Sequence, residues 1–166
     1  MITIAIDPGT EQSAVVWFED GKPDITKSKI DDNTAILDYV RMAAHSDVAA
    51  QLAIEMVASY GMPVGKETFE TVRWIGRFEQ VWKDVRPTSC TMVYRKDVKL
   101  HLCGQPRAKD ANIRQAILDK YPRSGGGTTP QIGTKKAPGP LYGMKSHLWS
   151  ALAVAITFEE AILCPN

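Results

Sequence analysis

Cysteine is scarce in this chain of 166 residues: three in all, Cys90, Cys103 and Cys164. The number is odd and no pair has C-x-x-C spacing. That argues against a disulfide framework and against a zinc site, and points to reduced thiols in an intracellular, cytoplasmic protein. Long apolar runs are missing too. None reaches the roughly 20 residues that span a bilayer, and no signal-peptide pattern is present, so no membrane partner is expected. Internal repeats are absent. Net charge is only +1, which by itself decides nothing about nucleic acid. What remains is ordinary globular composition, 44% hydrophobic and 23% charged. A chain of this length buries a core without staples, and a single domain over 1–166 is expected.

Charge is unevenly placed. Residues 1–85 carry 8 Lys and Arg against 14 Asp and Glu, a balance of −6, whereas residues 86–166 carry 12 against 5, a balance of +7. Such segregation suggests a basic face beside an acidic pocket. Chance clustering on a solvated surface is the competing account.

Hydrophobic periodicity predicts strands over 1–7, 12–18 and 25–30, with Asp20-Gly21 as a hairpin turn. A helix follows over 31–44, with Asp31 or Asp32 as its N-cap. Residues 49–57 read as a buried strand and 66–84 as an aromatic-rich amphipathic helix. A short strand at 89–93 and a helix at 107–121 come next. Residues 122–143, dense in Gly, Pro, Thr and Lys, read as a mobile loop. A strongly apolar helix over 145–163 follows. This order implies an α/β sandwich around a mixed sheet.

Two acids stand out against these elements. Asp7 ends the apolar part of Ile-Ala-Ile-Asp-Pro-Gly-Thr at 4–10, just before the Pro-Gly turn, and Glu55 lies near the end of the 49–57 strand. An isolated carboxylate at the end of a buried strand is costly unless something compensates it. If the strands are neighbours, the two acids converge, as oxygen ligands of a hard cation such as Mg²⁺ must. A two-metal site would hold ions ~3.5–4 Å apart and stabilise the attacking and leaving oxygens of a phosphodiester. Pairing of Glu55 with an arginine is the structural alternative. His147 and Ser150 open the last helix, three residues apart and so on one face. Facing the acids, His147 would bind a metal or handle a proton.

The ordered set Ile-Ala-Ile-Asp-Pro-Gly-Thr (4–10), Ala-Ile-Glu (53–55), Val98-Lys99, Gly104 and Ala108, and His147-x-x-Ser150-Ala-Leu-Ala-Val-Ala resembles the RuvC family of Holliday-junction resolvases, and more closely their bacteriophage relatives. The resemblance implies an RNase H-like fold, with a mixed five-stranded sheet flanked by helices. It implies a homodimer that nicks branched DNA with Mg²⁺, or Mn²⁺ in its place, leaving 5′-phosphate and 3′-hydroxyl ends. It would act in a host cytoplasm if phage-encoded. By this match Asp7 and Glu55 are metal-binding acids and His147 is a third ligand. Ser150 stands where an aspartate is usual, so a second ion would bind weakly or borrow another acid, Asp110 being the nearest.

Basic residues would supply the grip on DNA: Arg73, Arg77, Arg95, Lys96, Lys99, Arg107, Lys109, Lys135, Lys136 and Lys145. Phosphate contacts of this kind position a duplex without reading its sequence. Tyr60, after Glu55, could stack on a displaced base. The resemblance places the helix after the second acid on the dimer two-fold, which would put Phe69, Trp74, Phe78 and Trp82 at the interface, core packing being the alternative for each. Two other functions compete. A junction-binding dimer with decayed chemistry would explain Ser150. An actin-like or sugar-kinase phosphate hairpin would explain Asp-Pro-Gly-Thr, but needs a second lobe.

Overall fold

The computed structural model describes residues 1–46 and 49–163. Five strands and five helices follow one another as β1 (Ile2–Asp7), β2 (Gln12–Glu19), β3 (Lys22–Asp32), α1 (Asn33–Ala44), β4 (Ala50–Met56), α2 (Lys66–Lys83), β5 (Cys90–Tyr94), α3 (Arg95–Cys103), α4 (Asp110–Lys120) and α5 (Leu148–Thr157). A π-helical turn, Phe158–Leu163, extends α5. The strands form one mixed sheet in the order β3-β2-β1-β4-β5. β1, β2 and β3 pair antiparallel, and β4 and β5 run parallel to β1.

Period-two alternation decides which side chains face which layer. Ile4, Ile6, Val15, Trp17, Leu52 and Ile54 join one apolar cluster, with residues of α1 and α2. Ala5, Ala14, Val16, Ala53 and Val93 join the other, with residues of α4 and α5. Three of those sheet residues are alanines, and α5 itself contributes Ala151, Ala153 and Ala155. Small side chains on both surfaces let α5 lie close to the middle of the sheet, which carries its first turn to the ends of β1 and β4.

Several sequence expectations change. β3 begins at Lys22 because Asp20 and Gly21 both have positive φ, 50° and 77°, and close a two-residue hairpin. α3 was not anticipated: only Val98 of its residues is buried, so it has no apolar period to read. Asp32 does occupy the cap position of α1, but its side chain makes no capping hydrogen bond. The last helix starts at Leu148 rather than 145.

The largest correction concerns 122–143. This segment is not an open loop but a compact strap of its own backbone hydrogen bonds, including Gly125 N to Pro130 O at 2.8 Å, Gly126 N to Ala137 O at 2.9 Å and Gly139 N to Ile132 O at 2.9 Å. Gly133, at φ 78°, is tight against the chain; a Cβ there would lie 2.2 Å from Gly139 N. Glycines that looked like flexibility instead permit close backbone approach. Elsewhere, Arg86 ties α1 down. Its guanidinium donates to Ala44 O at 2.7 Å and Ser46 O at 2.5 Å and lies over Trp82. Cys90 and Cys103 are free, half-buried thiols packed against the core, whereas Cys164 lies outside the described residues. Among the described residues no helix is long and apolar enough to cross a membrane.

Candidate active site

Register brings the two acids together. In the parallel pair of β1 and β4, Ala5 lies opposite Ala53 and Ile6 opposite Ile54, so Asp7 and Glu55 are the next step along. Both share parity with the alanines of the α5 face. Their side chains are 15% and 10% exposed, and the two carboxyls share a hydrogen bond. Burial, reinforced by the charge of Asp7 and the hydrogen bond to it, pushes Glu55 up to about 8 against the pull of Arg95. Burial also raises Asp7, opposed by its bond to Glu55, by Arg95 and by the hydroxyl of Ser150. Glu55 therefore carries the proton of the pair near neutral pH and donates it toward Asp7.

The first turn of α5 completes the cluster. His147 Nδ1 lies 3.1 Å from Asp7 Oδ2. The positive end of the helix favours the aspartate, as does the Ser150 hydroxyl. Arg95, the first residue of α3, reaches in from the far side. Its guanidinium donates to Glu55 Oε1 at 3.2 Å and to Asp110 Oδ1 at 2.5 Å. Asp110 is thus tethered to the cluster through Arg95, while its own side chain stays 81% exposed at the start of α4.

The turn after Asp7 is held from below. Gly9 N donates to Ser13 Oγ at 3.2 Å, Ser13 Oγ to Asn33 Oδ1 at 2.5 Å, and Asn33 Nδ2 back to Gly9 O at 3.0 Å. Ser13 and Asn33 are buried. A Cβ on Gly9 would sit 2.3 Å from Gln12 O, so only glycine fits. Cavities of about 870 Å³ and about 400 Å³ flank the cluster, and His147 lines both.

With strand order, helix placement and paired acids in view, likeness to solved structures becomes informative. The chain superposes on RuvC of Thermus thermophilus with a TM-score of 0.66 and 17% identity, covering 96% of this chain and 93% of that one. The same Thermus protein in complex with a Holliday junction substrate matches with a TM-score of 0.66 and 18% identity over the same shares. This is a RuvC-like fold. The mixed five-stranded sheet flanked by helices is RNase H-like. No family model matches the chain, and no curated protein does.

On this RuvC-like frame, the expected metal ligands are only partly assembled. Among the described residues, no three of His, Cys, Asp and Glu are grouped so that they could hold a metal ion between them. The donor chemistry nonetheless fits a hard divalent cation: two buried acids at neighbouring strand ends, each raising or answering the other's charge, with an imidazole and a hydroxyl at their edge. Pairing of Glu55 with an arginine and its approach to Asp7, set as alternatives by the sequence, occur together. Arg95 belongs to the acid cluster and is not a free DNA contact.

The basic candidates fall into two groups. Arg107 and Lys109 precede α4, Lys135 and Lys136 are exposed on the strap, Lys145 lines the larger cavity, and half-buried Lys99 lies on α3. Arg73 and Arg77 lie on α2, whose buried face packs on the other side of the sheet from α5. Arg77 stacks over Trp74 at 4.6 Å. The interface candidates also divide. Phe78 and Trp82 are fully buried in the core and cannot meet a second copy, because they fill the α2 stripe Thr71, Ile75, Phe78, Trp82. Phe69 is 64% exposed and Trp74 half-buried, so these two remain available. Tyr60 is 60% exposed in the loop after β4, at φ 46°. One five-stranded sheet is present among the described residues, with no second lobe for an actin-like nucleotide site. Arg95, Ser13 and Asn33 were missed as site-building residues; only the polar Ser13 inside an apolar strand was a signal.

Proposed function

We propose that this protein is a divalent-metal-dependent, structure-selective endonuclease that nicks four-way junctions and related branched DNA as a homodimer. The observation that carries the reading is the pair Asp7 and Glu55, buried side by side at the ends of neighbouring parallel strands under the first turn of α5. Likeness of fold to the Thermus protein whose substrate is a Holliday junction supports the choice of DNA. Asp7, Glu55 and His147 would hold Mg²⁺ or Mn²⁺, with Ser150 and Asp110 as weaker participants. Such an ion supplies charge neutralisation at the scissile phosphate and a more acidic bound water.

The chain's own residues do the rest. Asp7 is held in place by His147, Ser150 and the Gly9–Ser13–Asn33 lock. Glu55, which holds a proton near neutral pH, would have to be deprotonated to serve as a ligand of that ion. Arg95 keeps Asp110 at the rim. Lys135, Lys136, Lys145, Arg107 and Lys109 would contact phosphates, and exposed Phe69 with its neighbour Val72 would form the contact between copies.

A second reading, a junction-binding dimer without chemistry, is favoured by Ser150 in place of an acid and by Arg95 engaging Glu55. Incubation with junction, Y-fork, flap and duplex DNA in Mg²⁺ or Mn²⁺ separates the two. The nuclease reading expects nicks in branched DNA by the wild type and none by Asp7→Asn, which still binds the junction. Binding without nicking by the wild type selects the second reading, and wild-type rates in Asp7→Asn remove Asp7 from the site.

A further inference from the structure

The larger of the two cavities beside the acids has a use that metal binding does not explain. It measures about 870 Å³, within the range of sites that enclose a small ligand. One end is the acid cluster, through Arg95, Asp110, His147 and Ser150. The other end is built from different material. Trp149 of α5 packs partly into the core, and Arg114 of α4 lies across its indole, 4.8 Å from the ring centroid. Lys145 and Ser146 close the edge, Ser146 in the left-handed region at φ 44°. Of the charged side chains lining the cavity other than His147, three are cations and one, Asp110, is an anion already bound by Arg95.

An aromatic face with a guanidinium on it, in a cationic cavity, is the chemistry that receives a nucleobase and its phosphates. A small apolar ligand would not call for the cations. A protein segment would not call for a cavity continuous with a phosphodiester site. We propose that this cavity seats a single unstacked nucleotide of the strand being cut, adjacent to the scissile phosphate. Trp149 is the stacking platform for its base, and Arg114 and Lys145 receive the flanking phosphates. This deepens the nuclease reading and rests on it. Trp149 and Ser150 both line this cavity, so a base on the indole would bring the strand's backbone toward the Ser150 end of the acid cluster. Arg114 is exposed and free to swing from the indole to a phosphate as the base arrives.

The test is a cycle between base and platform. Four-way junctions carrying one abasic site each, scanned along the strand on both sides of the crossover, are bound in EDTA so that no cutting occurs. Wild-type protein should show one position where loss of the base weakens binding by about 5- to 150-fold, the range for one stacked base. In Trp149→Ala that position should become neutral, intact and abasic junctions binding alike. Arg114→Ala, a change at an exposed site that removes a phosphate contact, should weaken intact and abasic junctions alike and keep the ratio, and Trp149→Phe should keep most of it. Because each ratio is read within one variant, a general loss of stability cancels. A flat scan in the wild type overturns the base seat, as does an equal ratio in wild type and Trp149→Ala; the latter leaves only phosphate contacts there. If the wild type binds no branched DNA, the nuclease reading falls and the base seat with it. If it nicks junctions yet the scan is flat, only the base seat falls.

Discussion

Glu55→Gln should make the metal-free protein more stable while removing the proposed nicking activity. An unfolded glutamate titrates near 4.5, whereas burial beside Asp7 pushes Glu55 in the folded chain up to about 8. Between those values the folded chain holds a proton that the unfolded chain has released. Stability is therefore fully present below pH 4.5 and declines as pH rises through the window to 8. Each pH unit costs about 1.4 kcal/mol, so at pH 7 the wild type has lost on the order of 3 kcal/mol. Glutamine has the same shape, keeps a carbonyl for Arg95 and has no proton to hold. The variant should gain about 2–3 kcal/mol at pH 7, or roughly 4–12 °C in melting temperature for a chain of this size. Thermal unfolding in EDTA at pH 5, 6, 7 and 8 reads the effect. The gap between variant and wild type should be small at pH 5 and widen steadily to pH 8. Saturating Mg²⁺ should then narrow it, because only the wild type gains the binding energy, about 2.7 kcal/mol at one hundred times the dissociation constant. A variant that melts at or below the wild type at pH 8, or a gap indifferent to pH, refutes the account of Glu55.

Further outcomes follow from the same geometry. Ser150→Asp adds a third carboxylate beside Asp7, so it should lower the melting temperature in EDTA and lower the Mg²⁺ concentration needed for half-maximal stabilisation; an unchanged Mg²⁺ titration would place Ser150 outside the ion's reach. Lys135→Ala with Lys136→Ala should flatten the salt dependence of junction binding by about 1–2 units of slope without moving the cut, and an unchanged slope would mean the strap does not touch DNA. Arg86→Ala strips two carbonyls near the end of α1 of a charged donor and should cost about 2–3 kcal/mol in chemical denaturation. Phe69→Arg should leave the fold intact and shift sedimentation toward monomer; an unaltered dimer would move the two-fold away from this part of α2.

Much of the architecture is local in origin and so could be read along the chain. The continuous apolar runs of β1, β2 and β4, the Asp20-Gly21 turn and the stripe of α2 are each written within a few residues. Asp7 and Glu55 were legible for the same reason: each is the one acid in an apolar strand. The aromatic content of 66–84 misled because periodicity tells which residues share a face but not how wide the buried face is. Phe78 and Trp82 proved to be core, and Trp74 stacks beside Phe78 at its edge. The strap at 122–143 misled because glycine signals both freedom and close approach, and only its neighbours distinguish them.

By itself, then, the sequence determined most of the strands, the helices with an apolar period and two isolated acids at the ends of apolar strands, because these depend on spacing along one chain. It also carried enough ordered motif to point to the RuvC-like arrangement that the fold displays. Tertiary structure alone decided what surrounds the acids. Parallel register put Asp7 beside Glu55, and a second register, Met56 opposite Tyr94, brought Arg95 against them from 40 residues away. Packing of α4 against α5 laid Arg114 over Trp149 and opened the cavity next to the site. Side chains distant in sequence meet only when a sheet and its helices have closed, and it is there that desolvation and neighbouring charge set what an acid does.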